Sequence, residues 1–157
     1  MPEYREKLWP APWLFVATAL VIPASILVFA PISMPVGILT AGVLYAGCVV
    51  LLILASPVVR VADGVLEAGR ARIETAMLGE AEGFEGEEAR QERGPRLDAR
   101  AWLLIRGWVG PVVRIPVTDQ ADPAPYWLVS TRHPQKLAAA INGSRRPASG
   151  TSAAKNS

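Results

Sequence analysis

The sequence contains a stretch of 52 residues, from Leu8 to Val59, that has no Asp, Glu, Lys, Arg or His. A soluble core of this length would be interrupted by charges on its solvent face, whereas one membrane-spanning helix needs only about 20 apolar residues. The stretch therefore predicts two transmembrane helices joined by the turn "APISMP", because proline has no amide hydrogen and ends a helix. The predicted transmembrane hairpin occupies 12–57, with helices at about 12–29 and 36–55. A cleaved signal peptide is the alternative, but its apolar core would span only about 7 to 15 residues.

Small residues and one proline distinguish the two predicted spans. Pro23 predicts a kink in the first helix, since the carbonyl of Ala19 loses its usual partner. Small side chains let helix backbones approach closely in lipid, so those of the second helix predict packing within the hairpin, with a homodimer contact as the alternative. These residues are Gly37, Ala41, Gly42, Ala46 and Cys48. Neither span holds an acidic or basic residue, which argues against a carrier or pump that works alone.

The charges that flank the spans predict their orientation. Arg5 and Lys7 precede the first helix and further arginines follow the second, whereas the turn carries no charge. Because positively charged flanks stay in the cytoplasm, both termini are predicted to be cytoplasmic. Residues 1–11 then form a cytoplasmic N-terminus and 58–142 a cytoplasmic domain. The predicted location is the bacterial cytoplasmic (plasma) membrane, with a multi-pass topology.

The region after the spans has the pattern of a small β domain. "VVRVADGVLEAGRARIE" (58–74) alternates apolar and polar residues around Asp63-Gly64, the strongest short signal for a β-hairpin. Further strands are predicted at 76–84, 101–108, 112–117 and 126–131, with a charged helical turn or loop at 85–98. A final helix is predicted to end at Asn142-Gly143.

About seven short strands followed by one helix are typical of pleckstrin-homology-like (PH-like) domains, whose bacterial versions often follow a pair of membrane spans. The predicted fold is therefore an α+β membrane protein. It has an N-terminal two-helix transmembrane hairpin, then a small PH-like antiparallel β domain with a C-terminal helix. This comparison rests on the order of elements, so it carries no function. The polar tail, 143–157, is predicted to be disordered.

The only histidine, His133, lies in the sequence "STRHPQ" between the last strand and the last helix. Pro134 suits the first helical position, so a hydroxyl or the imidazole is predicted to cap the free amides at this corner. A nucleophile needs a base and an orienting group, and the chain has no second histidine and only one cysteine, which lies in the apolar stretch. We therefore expect no enzyme, no metal site and no cofactor. An enzyme would require a constellation of Asp63, Asp119, Asp122, Arg132 and His133. The single cysteine excludes an intramolecular disulfide.

Four segments of the chain carry a family resemblance. They are "YREKLW" (4–9), "VRVADGVLEAGRARI" (59–73), "RGWV" (106–109) and "DPAPYWLVSTRHPQKLAAAI" (122–141). Together with the two spans, these segments resemble a family of small actinobacterial membrane proteins known only by a domain-of-unknown-function label. The resemblance covers nearly the whole chain up to Ile141. It implies the cytoplasmic membrane of a high-GC Gram-positive bacterium and no activity, cofactor or catalytic residue. The stretch from Glu80 to Glu92 is richer in charge than the resemblance implies.

The leading functional hypothesis is a non-catalytic, membrane-anchored interaction module or a small accessory subunit of a membrane complex. Its predicted partners are the lipid bilayer and an unidentified membrane or cytoplasmic protein. Aromatic side chains carry much interface energy. The candidate partner contacts are therefore Trp102, Trp108, Tyr126 and Trp127. A net charge of only +2 gives little support for a nucleic-acid partner.

The alternative function is sensing of anionic lipid or its headgroups by the β domain, because arginine binds phosphate with two parallel hydrogen bonds. The candidate contacts are Arg60, Arg70, Arg72, Arg106 and Arg114. Glu67 and Glu74 lie close enough in sequence to neutralise part of this charge. Basic residues at the C-terminus would add to the membrane anchor without replacing it. These residues are Arg145, Arg146 and Lys155.

Overall fold

The computed structural model describes residues 4–145, which divide into two compact units. Unit 1 joins residues 4–8 with residues 58–145, and unit 2 is the continuous segment 9–57. Unit 2 is therefore an insertion in the chain of unit 1. The predicted disordered tail, including Arg146 and Lys155, lies outside the described residues from position 146 onward.

Unit 2 consists of three helical segments, which are α1 (Pro12–Ala19), α2 (Val21–Phe29) and α3 (Met34–Leu54). α1 and α2 form one apolar stretch interrupted at Leu20, one turn before Pro23, where proline cannot supply the bond to Ala19. The stretch 12–29 and α3 are long and apolar enough to cross a membrane, with mean hydropathies of 2.1 and 2.4. α3 begins before the predicted residue 36 because Pro35 is accepted in the first helical turn.

Small residues bring α2 and α3 together in unit 2. Gly37 and Ala41 are buried, and a Cβ at Gly37 would lie 3.4 Å from the Cβ of Phe29. The large apolar side chains of unit 2 point outward instead: Leu27 is 76% exposed and Leu51 is 67% exposed.

Sheet 1 of unit 1 is an antiparallel sheet with the strand order β1-β2-β3-β4. Its strands are β1 (Tyr4–Lys7), β2 (Val58–Ala62), β3 (Val65–Ala68) and β4 (Ala71–Glu74). The Asp63-Gly64 hairpin is confirmed, and both turn residues have positive φ angles of 52° and 72°. β1 lies within the segment treated from sequence as an N-terminal tail. Its last residue, Lys7, pairs with Val58, so the two strands that flank unit 2 are direct neighbours.

Sheet 2 has the strand order β5-β7-β8-β6. Its strands are β5 (Glu82–Phe84), β6 (Trp102–Leu104), β7 (Val112–Pro116) and β8 (Tyr126–Ser130). β6 runs parallel to β8, so the prediction of a purely antiparallel domain is wrong for this pair. The predicted strand at 76–84 shortens to β5, because Thr75–Met77 forms a 3₁₀ turn. The charged stretch folds as the helix α4 (Gly86–Arg93).

The C-terminal helix α5 (Pro134–Arg145) packs on a core shared by both sheets. Fully buried core side chains include Leu8, Val61, Leu66, Ile115, Val129, Leu137 and Ile141. The prediction that α5 ends at Asn142-Gly143 is wrong, since the helix continues to Arg145. The Asn142 amide donates to the carbonyl of Ala81 at 3.0 Å and accepts its N–H at 2.8 Å. The Arg145 guanidinium donates to the carbonyl of Leu78 at 2.8 Å, so the last turn is held against the loop before β5.

Candidate functional site

The strand-to-helix corner before α5 is tied to β1. The carboxylate of Glu6 accepts the hydroxyl proton of Thr131 in a short hydrogen bond and that of Tyr4 at 2.5 Å. It also accepts the backbone N–H of Arg132 at 2.9 Å. The Thr131 hydroxyl accepts the backbone N–H of His133 at 3.1 Å, so a hydroxyl caps the amide of the residue before α5, whereas capping of the amides within the first turn of α5 stays a prediction. Glu6 also accepts hydrogen bonds at this corner, although the sequence analysis expected only residues of the corner itself to do so.

The polar groups at this corner are engaged with one another. Burial raises the pKa of Tyr4 well above its usual value, and the hydrogen bond to the Glu6 carboxylate raises it further. The Tyr4 hydroxyl is therefore a fixed donor over the physiological pH range. Thr131 donates to that same carboxylate, and the His133 side chain is exposed to solvent. We interpret the corner as a structural joint between β1, β8 and α5.

The aspartates of the enzymatic alternative serve local turns. Asp119 and Asp122 accept the N–H groups of the residues two positions later, each at 2.9 Å, and Asp63 lies in the β2–β3 turn. Within residues 4–145, no group of three or more His, Cys, Asp or Glu side chains is placed to hold a metal ion.

The outer face of sheet 1 carries a group of basic residues that we call the basic face. Its members are Arg5, Lys7, Arg60 and Arg72, with Arg70 in the adjoining β3–β4 turn. The strand register places Arg5, Arg60, Glu67 and Arg72 side by side in one row across the four strands. The opposite face of the sheet points into the core, because side chains alternate along a strand.

Acidic partners neutralise only part of the basic face. Arg72 forms an ion pair with Glu67 at 3.1 Å. Among the described residues, the guanidinium groups of Arg5 and Arg60 form no hydrogen bond and no ion pair. A shallow cavity of about 100 Å³ lies beside Arg60, and its lining includes Arg72 and the two acidic residues Asp63 and Glu67.

The other two arginines proposed from sequence for lipid contact lie apart from the basic face. Arg114, on β7 of sheet 2, bonds the carboxylates of Glu82 at 2.8 Å and Glu92 at 3.4 Å. Its guanidinium lies 5.4 Å from the ring centroid of Phe84. Arg106 precedes β7, and its backbone N–H donates to the Ser130 hydroxyl at 3.0 Å. The five arginines therefore do not line one groove.

Glu92 gives the charged stretch a structural role. It lies on α4 and only 2% of its side chain is exposed. A buried carboxylate requires a partner, and Arg114 and Arg96 lie 3.4 Å and 3.6 Å away. The ion pair between Glu92 and Arg114 holds α4 against β7.

The four aromatic candidates for partner contact take part in internal packing. Trp102 lies against the buried Trp127, with ring centroids 4.4 Å apart. The indole N–H of Trp108 donates to the carbonyl of Leu8 at 3.3 Å. Tyr126 accepts the N–H of Asp98 at 2.9 Å through its hydroxyl. Trp102, Trp108 and Tyr126 each keep part of their surface exposed.

The small residues of α3 fall on two sides of the helix. Gly37 and Ala41 lie in the α2–α3 contact, and Cys48 is half-buried. Gly42 and Ala46 are exposed, and no atom lies within 4 Å of a Cβ placed on Gly42.

Sequence reasoning left Arg5, Lys7, Glu6 and Glu92 out of its candidate residues. No alternation of apolar and polar residues marked β1, because Arg5, Glu6 and Lys7 are three consecutive charged residues. Its pairing with β2, across the apolar insertion, was not visible in the local pattern.

Comparison with protein families gives one match. The model of the family described as "Protein of unknown function (DUF3093)" matches residues 3–141. No curated protein and no solved structure matches the chain.

Proposed function

The chain belongs to the DUF3093 family, whose function is unknown, and we propose that it is a non-catalytic interaction module anchored in a membrane by unit 2. The observation that carries this proposal is the insertion of an apolar two-span hairpin between two paired strands of one sheet. Such an arrangement fixes both ends of the hairpin to one folded domain.

The exposed surface of unit 2 supports insertion in lipid. Only 6% of the first apolar window and 11% of the second are buried within the protein. A buried helix pair in a soluble core would hide most of this surface, and soluble proteins rarely expose large apolar patches. A signal peptide would not be followed directly by a second span of 21 residues.

The proposed topology is that of a multi-pass protein with both termini in the cytoplasm. The pairing of Lys7 with Val58 supports it, because adjacent strands must lie on the same side of the membrane. The basic residues around this pair favour the cytoplasmic side. Thirteen arginines against three lysines support the proposed origin in an actinobacterial plasma membrane.

We also propose that unit 1 is a variant of the PH-like architecture. Two four-stranded sheets and a C-terminal helix support this comparison, and the parallel β6–β8 pair is its main departure.

The proposed role is to present unit 1 at the membrane surface to a protein partner, either as an adaptor or as an accessory subunit of a membrane complex. Charged groups that could serve acid–base chemistry are instead used in ion pairs and caps, as the Glu6 and Glu92 contacts illustrate. This use of the charged groups supports a non-catalytic role.

Three measurements test the proposal. Alkaline washing of native membranes should leave the chain in the membrane pellet, and a periplasm-active reporter fused after Ser157 should be inactive. Affinity capture of the full chain from gently solubilised membranes should then yield a partner that is lost when residues 58–142 are deleted. Release by the wash or an active reporter would contradict the anchor or its topology. A partner retained by the deletion variant, or no partner at all, would contradict the role of unit 1.

A further inference from the structure

The basic face contains a cross-strand pair of like charges, Arg5 and Arg60, for which the described residues 4–145 provide no ion pair. Arg5 and Arg60 are direct partners in the β1–β2 register, so their side chains leave the sheet from Cβ atoms about 5 Å apart. Like charges directly opposite each other destabilise a sheet. Within residues 4–145 neither guanidinium forms an ion pair. Glu67, the direct neighbour of Arg60 in the β2–β3 register, forms its ion pair with Arg72 instead. A bound anion would offset this repulsion.

Basic residues lie at one end of sheet 1 and acidic residues lie at the other end. Lys7 and the β3–β4 turn with Arg70 lie at the end where the chain leaves for unit 2, and Gly69 N–H donates to the Val58 carbonyl there. Asp63 and Glu74 lie at the opposite end, beyond the row that contains Arg60. The most basic part of sheet 1 is therefore also the part closest along the chain to the proposed membrane anchor.

Short connections limit how far this end can lie from the bilayer. Residues 8–11 connect β1 to α1, and residues 55–57 connect α3 to β2. Four residues extend over at most about 14 Å and three over about 11 Å. Arg5 and Arg60 lie two positions further along the strands, which adds roughly 7 Å. If unit 2 spans the membrane, the basic face is within reach of the headgroup layer.

The shape of the surface narrows the ligand class. The cavity beside Arg60 is about 100 Å³, well below the roughly 300 Å³ and more of ordinary small-molecule sites, and the acidic Asp63 and Glu67 line it together with Arg72. The cavity itself is therefore not the anion site, and Arg5 does not line it. Guanidinium groups bind phosphate through charge-assisted, paired hydrogen bonds. A phosphate that belongs to a larger surface suits these features better than an enclosed organic ligand.

We propose that Arg5 and Arg60, supported by Lys7 and Arg70, bind the phosphate groups of anionic phospholipids in the membrane that anchors the chain. This inference rests on the proposed membrane anchor and adds a lipid-binding surface to it. The proposed phosphate-binding residues include Arg5 and Lys7 of β1, and they exclude Arg106 and Arg114.

The test uses the full chain in lipid nanodiscs of two compositions, phosphatidylcholine alone and phosphatidylcholine with phosphatidylglycerol. The thermal unfolding midpoint of unit 1 should be higher in the anionic discs by about 4 °C or more, because ligand binding stabilises the folded state. The increase should disappear in high salt, since exposed charges are screened.

The decisive variant is Arg5→Ala/Arg60→Ala. Each basic residue near an anionic leaflet contributes a factor of about five in affinity, so loss of both should weaken binding roughly 25-fold and abolish the increase. In phosphatidylcholine alone, the variant should unfold at the wild-type temperature or above it, because the like-charge repulsion is removed. An equal loss of stability in both discs would indicate a purely structural role and would overturn the proposal.

Two controls distinguish the remaining explanations. Arg90→Ala/Arg100→Ala makes the same change in net charge at exposed sites on α4 and the loop after it, and should keep the increase. Loss of the increase in this control would overturn the assignment to the basic face. Inorganic phosphate added to phosphatidylcholine discs should have no effect, and an equal increase there would overturn the lipid source. A wild-type chain that stays in the discs but shows no lipid dependence refutes this inference alone, whereas release by alkaline washing refutes the anchor.

Discussion

Leu8 offers a direct test of whether the N-terminal segment belongs to the folded domain. Its side chain is fully buried in unit 1, although the next residue already belongs to unit 2. Leu8→Ala removes three carbon groups, worth about 2.4 kcal/mol at roughly 0.8 kcal/mol each. The cavity left behind raises the expected loss to about 3–5 kcal/mol. If residues 1–11 were instead a solvated tail, the same substitution would cost almost nothing.

The expected loss converts into a large shift of the unfolding temperature. A domain of about 100 residues shifts by roughly 4–8 °C per kcal/mol, so the unfolding midpoint should fall by about 12 °C or more. The assay is thermal unfolding of the detergent-solubilised full chain, followed by the near-ultraviolet circular dichroism of the Trp102–Trp127 pair in unit 1, whose rings are tilted by 36°. Leu54→Ala is the matched control, because Leu54 is 76% exposed at the end of α3 and its truncation should leave this signal unchanged. A fall of only a few degrees in Leu8→Ala would refute the placement of this segment in the core.

Three further predictions concern unit 1. Glu92→Ala should lower its stability by about 1.5–3 kcal/mol, because the charge-assisted hydrogen bonds between Arg114 and this buried carboxylate are lost. Chemical denaturation should show a far smaller effect for Glu88→Ala on the exposed face of α4. Gly83→Ala should lower the unfolding temperature, since its Cβ would lie 2.9 Å from backbone and side-chain carbons of α5, whereas Gly107→Ala meets no atom within 4 Å and should be silent. The stability of the wild-type chain should fall as pH rises above about 10, the pKa of tyrosine in an unfolded chain. There the unfolded state loses the Tyr4 proton while the folded state, whose Tyr4 pKa is raised, retains it. Tyr4→Phe should reduce this alkaline slope, measured by denaturation at several pH values.

Local signals predicted the elements whose partners are close in sequence. The Asp63-Gly64 hairpin is an example, because Asp and Gly tolerate the positive φ angles that such a turn requires. The apolar helices were equally visible, since a charge-free stretch of this length depends on composition alone. The final helix was visible from Pro134, but its extension beyond Asn142 was not. That extension depends on the contact of the Asn142 amide with Ala81, 61 residues earlier in the chain.

The features that escaped prediction depend on distant partners. β1 has only four residues, and its pairing with β2 crosses the whole of unit 2. β6 runs parallel to β8. Side chains alternate in the same way in parallel and antiparallel strands, so the sequence pattern could not predict this direction. The basic face could be foreseen only in part. Arg60, Arg70 and Arg72 were named from sequence, but the register that places Arg5 beside Arg60 depends on the same long-range pairing. For the same reason, Arg114 looked available until its contact with the buried Glu92 was known.

The pairing of β1 with β2 has a consequence for how the protein is made. β1 leaves the ribosome before the hairpin, but its partner strand is synthesised only after both spans. With the anchor we propose, a chain in which just one span crossed the bilayer would leave β1 and β2 on opposite sides, and sheet 1 would lack its edge strand. Leu8 and Glu6 would then be missing from the core and from the corner before α5. With this proposed anchor, correct insertion of both spans is a precondition for completing sheet 1, and a mis-inserted chain would carry an incomplete unit 1.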